Sequence, residues 1–370
     1  MSKIKIAIVT DWLVKIGGAE KVLLDILECY PNADIYTSVY NPNLKEFHNY
    51  NVITSYLQKI PLAYKFYKLF FGCMTGAFEN FNFDKYDLVI NSNWALSKCI
   101  LTKPKTLHIA YMHNPTRYLW ADGKDYFLRS MPKTLFNLLK PSLHKLRNLD
   151  FLASRRIDKI ICNSYTVQKR IQKYYRLESQ VIHPASDTKY EKLNRIEKGE
   201  YYVALGRLKG FKRFDLIIKA FNKNGKKLII IGEGEERGQL ENLITSQKIK
   251  LLGYISDKAR NAYLQHAKGM IFPQEEDFGI TIVDALINGC PVIAYQKGGA
   301  TEILNSKCGM FFKNQTYNDL NETITKFEKV NFDSEKIQNQ AKNFCPTRFK
   351  KEFQKIVNQL YATHQKKHSN

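Results

Sequence analysis

Residues 272–303 read FPQEEDFGITIVDALINGCPVIAYQKGGATEI. The apolar run leading into this stretch ends at Phe272-Pro273 as a strand does, because proline cannot donate to the sheet ladder. An acidic turn with one glycine follows, then an apolar helix from about Ile280 to Asn288, then a second short strand from Pro291 to Tyr295. Strand, helix and strand in that order make one crossover of a parallel sheet, and the turn lies where open α/β sheets bind ligands. A helix N-terminus offers unpaired N–H groups and a positive dipole end, so the backbone of Phe278, Gly279 and Ile280 suits phosphate or sugar oxygens. Gly279 lets a ligand approach that backbone closely. Glu276 stands at the mouth of the helix, and Asp284, eight positions later, about one turn into it. On residue types alone, both acids could simply complement the helix dipole.

The same alternation of strand and helix recurs along the chain. Ile4–Trp12, IKIAIVTDW, is a buried parallel-type strand, and Gly17-Gly18 feeds an amphipathic helix. YDLVINSNWAL and TLHIAYMHNPTRYLW are further strands, the second running into His113-Asn114-Pro115 at its carboxyl end. DKIICNSYTVQKRIQKYY is a strand followed by a helix that Ser164 caps. After a charged segment, YYVALGRLKGFKRFDLIIKAFNK places Gly206-Arg207 and Lys212-Arg213 on a basic loop suited to a diphosphate, with Lys209 and Arg213 expected to be solvated. KLIIIGEGEER carries a bare G-x-G, which is no more than a tight turn, and KLLGYISDKA ends a strand at Gly253-Tyr254-Ile255.

At 370 residues the chain fits two α/β domains. The boundaries expected are an N-terminal Rossmann-like domain over 1–187, a linker over 188–198, a C-terminal Rossmann-like domain over 199–345 and a terminal helix over 346–370. Fifty-seven basic against 35 acidic residues give a formal charge of +22, which implies an anionic partner. No helix-turn-helix, zinc finger or RNA-recognition motif accompanies that charge, which argues against nucleic acid. Seven cysteines are scattered without a C-x-x-C pair, as in a reducing compartment. The N-terminus lacks the continuous apolar run of a signal peptide, and no stretch reaches the ~18 apolar residues that span a bilayer. Residues 56–83 and 125–156 interleave basic and aromatic or aliphatic side chains. Each suits either an anionic membrane surface or an amphipathic helix with its lysines in water.

Four motifs together, Gly17-Gly18-Ala19-Glu20-Lys21, His113-Asn114-Pro115, GRLKGFKR and Glu276-x7-Asp284, resemble those of the retaining glycosyltransferases of family 4. The resemblance covers nearly the whole chain. It implies a GT-B fold, in which two Rossmann-like domains face each other across a cleft and the terminal helix crosses back to the first. In that family the first acid contacts the donor sugar and the second the ribose, roles that fall here on Glu276 and Asp284. The second position is Asp where the family has Glu, one methylene shorter, so its carboxylate reaches less far toward the ribose. By the same carry-over Gly17 and Gly18 face the donor phosphates, His113 contacts the sugar near the reacting carbon, and Arg207 and Lys212 hold the diphosphate as it leaves. Tyr254 and Ile255 lie where relatives hold the base, and Arg117 and Trp120 are candidates for lining the acceptor side.

The chemistry implied is transfer of a hexose from a nucleotide-diphosphate sugar to a lipid-linked or saccharide acceptor, with retention by front-face attack and the leaving phosphate taking the proton. Preorganised positive charge would stabilise the leaving group. No cofactor and no metal are expected, since there is no strict D-x-D and no His/Cys cluster with ligand spacing. MHNPTRYLW with EEDFGI looks closest to bacterial mannosyltransferases of O-antigen and capsule assembly that use GDP-mannose, working on the cytoplasmic face of the membrane. A UDP-sugar transferase is the alternative, and a non-catalytic sugar-nucleotide-binding subunit a further one. Since fold does not fix function, epimerase or phosphorylase chemistry is also open.

Overall fold

A computed structural model of the chain describes residues 4–120, 133–188 and 199–368. The expected linker over 188–198, apart from Thr188, and the first part of the basic segment, 125–132, lie outside the described residues. The chain forms two compact units, one of Met1–Pro184 with Pro346–Asn370 and one of Ala185–Cys345. Ala185–Asp187, read from the sequence with the first domain, therefore group with the second. The Ser186 N–H donates to the Phe344 carbonyl at 3.2 Å and its hydroxyl to Asp284 at 2.5 Å, which is why they do so.

In the first unit, seven parallel strands run β1 (Ile6–Thr10), β2 (Asp34–Thr37), β3 (Val52–Thr54), β4 (Leu88–Asn93), β5 (Leu107–Met112), β6 (Lys159–Cys162) and β7 (Gln180–Val181), in spatial order 3-2-1-4-5-6-7. β4 and β5 are buried at every position, as befits central strands covered on both faces. The terminal helix Pro346–His368 packs here, burying Phe349, Phe353 and Val357. Tyr111 on β5 meets Phe349 and Phe353 edge-on at 5.8 and 6.1 Å. Each such buried side chain contributes about 1.5–3 kcal/mol.

The second unit holds six parallel strands: β8 (Tyr201–Leu205), β9 (Lys227–Ile231), β10 (Ile249–Gly253), β11 (Gly269–Phe272), β12 (Val292–Tyr295) and β13 (Gly309–Phe312), in order 10-9-8-11-12-13. The decisive stretch folds as its pattern predicts, with the helix at Ile280–Ile287 between β11 and β12. Among the described residues, no helix is long and apolar enough to cross a membrane.

The basic aromatic stretch near residue 60 is not one amphipathic helix. It breaks into Ala63–Phe66, a 3₁₀ run Tyr67–Cys73 and Met74–Glu79. Leu62, in the left-handed region at φ 57, starts the first piece. Breaking the helix turns Ile60, Leu62, Phe66 and Leu69 outward, Leu69 being 79% exposed, alongside exposed Lys59, Lys65 and Lys68.

Candidate active site

In the second sheet the chain winds outward from β8 through β9 to β10 and then returns to β11 on the other side of β8, so the β8/β11 border is the topological switch point. The loop after β8 carries Lys212 and the turn after β11 carries Glu276. Lys212 Nζ forms an ion pair with Glu276 Oε1, the two side chains 14% and 16% exposed. Gln274, itself buried, donates its amide to the same Glu276 oxygen at 3.3 Å. Arg207, on the same loop, is exposed and has no carboxylate partner among the described residues.

Glycines build the surroundings of this pair. Gly279 caps the Ile280–Ile287 helix at φ 101, and no side chain caps its first turn. A Cβ on Gly298 would stand 2.4 Å from the Glu276 carbonyl oxygen, and one on Gly299 2.2 Å from that of Phe278. The Gly299 N–H also donates to the Glu276 carbonyl at 2.9 Å, so the loop after β12 lies directly on the acidic turn. Behind the basic loop, a Cβ on Gly232 would meet the Gly206 oxygen at 1.8 Å and one on Gly234 the Leu208 backbone at 2.3 Å. The G-x-G is thus more than a tight turn: only glycine lets the β8 and β9 loops touch.

Arg213, expected in solvent, instead bonds Asp215 at 3.1 Å and the Gln315 side-chain Oε1 at 3.3 Å, while the Gln315 side-chain amide donates to the Pro273 carbonyl at 2.8 Å. It ties the basic loop to the turn after β11. Lys209 sits beside Glu235 at 3.4 Å, a partly exposed pair of small energetic weight. Tyr254 is 82% exposed at the end of β10, with Ile255 half-buried beside it. Asp284 is 6% exposed, and its Oδ1 accepts from Ser186 at 2.5 Å and from Thr188 at 2.9 Å.

The first unit gathers its own polar groups at the carboxyl ends of its strands. Gly17 caps the Gly18–Cys29 helix, and a Cβ on Gly18 would meet nothing within 4 Å, leaving the space above that backbone open. His113 follows β5, with Nε2 3.0 Å from the Ser92 hydroxyl and its ring edge-on to Tyr111 at 5.2 Å. The Asn163 amide holds the His113 carbonyl at 3.0 Å. Asp11, wholly buried after β1, accepts backbone N–H bonds from Trp94, Ala95 and Ser97 at 2.7–2.9 Å. Burial pushes its carboxyl up, while those N–H groups and Lys98 pull it back.

Arg117 is half-buried. Trp120 has a packing role: its indole N–H donates to Asp150 at 2.7 Å and its ring stacks on Tyr174 at 5.1 Å. Asp150 and Lys98 form a fully buried ion pair at 2.6 Å, completed by Thr116 at 2.5 Å and Tyr175 at 2.7 Å. This network pins the segment from Thr116 to Trp120 just beyond His113. Among the described residues, no group of three or more His, Cys, Asp or Glu could hold a metal ion.

Residues 16–190 match the family model described as Glycosyltransferase Family 4, and residues 185–344 the model described as Glycosyl transferases group 1. The chain is a family 4 glycosyltransferase. This transferase is 21% identical over 358 residues to the alpha-1,3/1,6-mannosyltransferase ALG2 of Kluyveromyces lactis, covering 78% of this chain and 68% of ALG2. It is 32% identical over 109 residues to a 2-deoxystreptamine N-acetyl-D-glucosaminyltransferase of Niallia circulans, covering 27% of this chain and 28% of that enzyme's length. Among solved structures, the lipopolysaccharide outer core galactosyltransferase WaaB superposes with a TM-score of 0.68 at 15% identity, covering 96% of this chain and 99% of WaaB. Anabaena HepE in complex with UDP gives 0.70 at 18% identity, over 96% and 100%. The fold is GT-B, as the four motifs implied.

Sequence reasoning missed Gln274, Gln315 and the structural role of Gly298-Gly299. The glycine pair was in plain view within the decisive stretch, but its close packing on the turn after the neighbouring strand β11 is a contact that local pattern does not state. Asp11 and Ser186 were not singled out from the sequence.

Proposed function

We propose that the enzyme transfers a hexosyl group, with retention, from a nucleotide-diphosphate sugar to a lipid-linked or saccharide acceptor in cell-surface glycan assembly. The observation that carries this reading is the Lys212–Glu276 pair at the switch point of the second sheet. It joins a phosphate-binding cation and a sugar-binding carboxylate beside a helix N-terminus without a side-chain cap. Arg207 and Lys212 neutralise the charge that develops on the leaving diphosphate, and the Phe278–Ile280 backbone accepts its oxygens. Glu276 orients the donor hexose, and Tyr254 and Ile255 receive the base. Asp284 serves the ribose. Gly17, Gly18 and His113 keep the roles that the family resemblance gives them. The reaction needs no metal, since the two cations supply the charge that a metal otherwise would.

Mannose from GDP-mannose is the donor we favour, on the MHNPTRYLW and EEDFGI likeness and the similarity to ALG2. Acceptor-dependent release of GDP from GDP-mannose, undiminished by EDTA, tests it, with UDP-glucose, UDP-galactose and UDP-N-acetylglucosamine run in parallel. Turnover of a UDP sugar alone would replace the donor, and EDTA-sensitive turnover would replace the charge-stabilisation scheme.

The exposed Ile60, Leu62, Phe66 and Leu69 with Lys59, Lys65 and Lys68 support peripheral attachment to the cytoplasmic face of an anionic membrane. Exposed Leu149 and Leu152 on the Lys133–Ser154 helix extend the same character. Flotation with anionic but not neutral vesicles, lost on Leu69→Asp, is the expected result. Equal binding to both vesicle types would remove the requirement for anionic lipid, and binding to neither would remove the membrane from the scheme.

A further inference from the structure

Asp284 is one methylene shorter than the glutamate its position resembles, and it is 6% exposed, so its carboxylate lies low in the site. Thr188 is half-buried and stands nearer the surface, with Oγ1 donating to Asp284 Oδ1 at 2.9 Å. A hydroxyl has one proton, so Thr188 in this bond has only acceptor capacity left for a ligand. The carboxylate polarises it and strengthens that capacity. Ser186, 1% exposed, fixes the arrangement from below: it donates to the same Asp284 oxygen at 2.5 Å and accepts the Thr188 backbone N–H at 3.1 Å. Its own N–H is anchored on the Phe344 carbonyl at 3.2 Å.

We propose that Thr188 and Asp284 together form a composite ribose reader, in which the Thr188 hydroxyl oxygen accepts a hydrogen bond from a ribose hydroxyl and replaces the reach that Asp284 lacks. The proposal rests on the reading of the second unit as a nucleotide-sugar site and adds a specificity-determining residue to it. Ser186 is a positioning residue in this arrangement. A ligand lacking the ribose hydroxyl leaves the Thr188 oxygen without its donor, so the site discriminates against deoxyribose.

The test compares the affinity of the full chain for GDP, 2′-deoxy-GDP and 3′-deoxy-GDP by calorimetry, with the UDP series in parallel. Wild type should prefer the ribonucleotide over one deoxy analogue by about tenfold, the scale of one hydrogen bond to a charge-supported group. Thr188→Val should bring that ratio close to one, and Thr188→Ser should preserve it. Thr188→Ala serves in place of the valine variant if the latter does not fold. A ribose preference that survives both Thr188→Val and Thr188→Ala, or a wild type that binds ribo and deoxy forms alike, overturns the composite reader while leaving nucleotide binding intact. If wild type binds neither GDP nor UDP, the nucleotide-sugar reading itself falls, and this inference with it.

Discussion

Lys212 and Glu276 come from loops 64 residues apart and pair at the border of β8 and β11, the point at which the second sheet reverses its winding. That border is where an open α/β sheet has room for a ligand between diverging loops. A cation and a carboxylate placed there can serve opposite ends of one substrate, the diphosphate and the sugar.

Glu276→Ala should lower kcat by about 100-fold or more, the scale seen when one preorganised electrostatic contact is removed. The fold should survive, because the turn is held by the backbone bond from Gly299 rather than by the carboxylate. Lys212→Ala should weaken nucleotide-diphosphate binding as well as turnover. Steady-state kinetics with a melting curve on each variant checks both. Wild-type rates from Glu276→Ala would mean that the site is misassigned.

Gly299→Ala tests the support beneath the turn. Its Cβ would meet the Phe278 backbone at 2.2 Å, and backbone cannot swing aside. The turn must shift, and a displacement of about 1 Å at a reacting centre can cost 100-fold in rate. Turnover should therefore fall far more than thermal stability. Gly18→Ala in the first unit meets nothing within 4 Å, so its fold should tolerate the change.

The Lys98–Asp150 pair, fully buried in the first unit, should behave as a unit. Lys98→Met or Asp150→Leu alone leaves a buried charge uncompensated and should cost about 3–5 kcal/mol. The double variant should be less damaged than the sum of the two, because neither charge remains. Chemical denaturation of all four proteins measures the coupling.

His108 on β5 is wholly buried. Burial lowers its pKa to about 4, against smaller opposing pulls from Asp158 and from a backbone hydrogen bond at Arg156. The unfolded chain therefore takes up this proton first as pH falls below about 6.5. Its destabilising effect is absent above that value and grows as pH drops toward 4, reaching about 2 kcal/mol at pH 5. His108→Leu should lose less stability than wild type between pH 7.5 and pH 5, measured by chemical denaturation. Parallel losses would show that His108 does not contribute to the acid sensitivity.

Much of this was legible in the sequence because strands buried on both faces and glycine-marked turns are local patterns. The span from β11 through the following helix to β12 and the loop carrying Arg207 and Lys212 both came from such patterns. What was hidden depends on contacts between distant segments. Nothing near Arg213 announces Gln315, which lies 102 residues away and accepts a hydrogen bond from that guanidinium. Nothing near Asp284 announces Ser186 and Thr188, 98 and 96 residues earlier, which engage its carboxylate. Nothing near Trp120 announces that its N–H donates to Asp150, 30 residues on. The amphipathic pattern near residue 60 misled in the other direction, since a 3₁₀ run at Tyr67–Cys73 interrupts what periodicity alone reads as one helix.

The measurement that bears most directly on a nucleotide-diphosphate sugar site at the β8/β11 border is a thermal-shift series on wild type and Lys212→Ala with GDP, UDP, ADP and dTDP, each with and without EDTA. A ligand that binds only the folded state raises the melting temperature. The account predicts that GDP stabilises wild type, that EDTA leaves the shift unchanged, and that Lys212→Ala loses most of it. No shift with any nucleoside diphosphate, or an undiminished shift in Lys212→Ala, would contradict it.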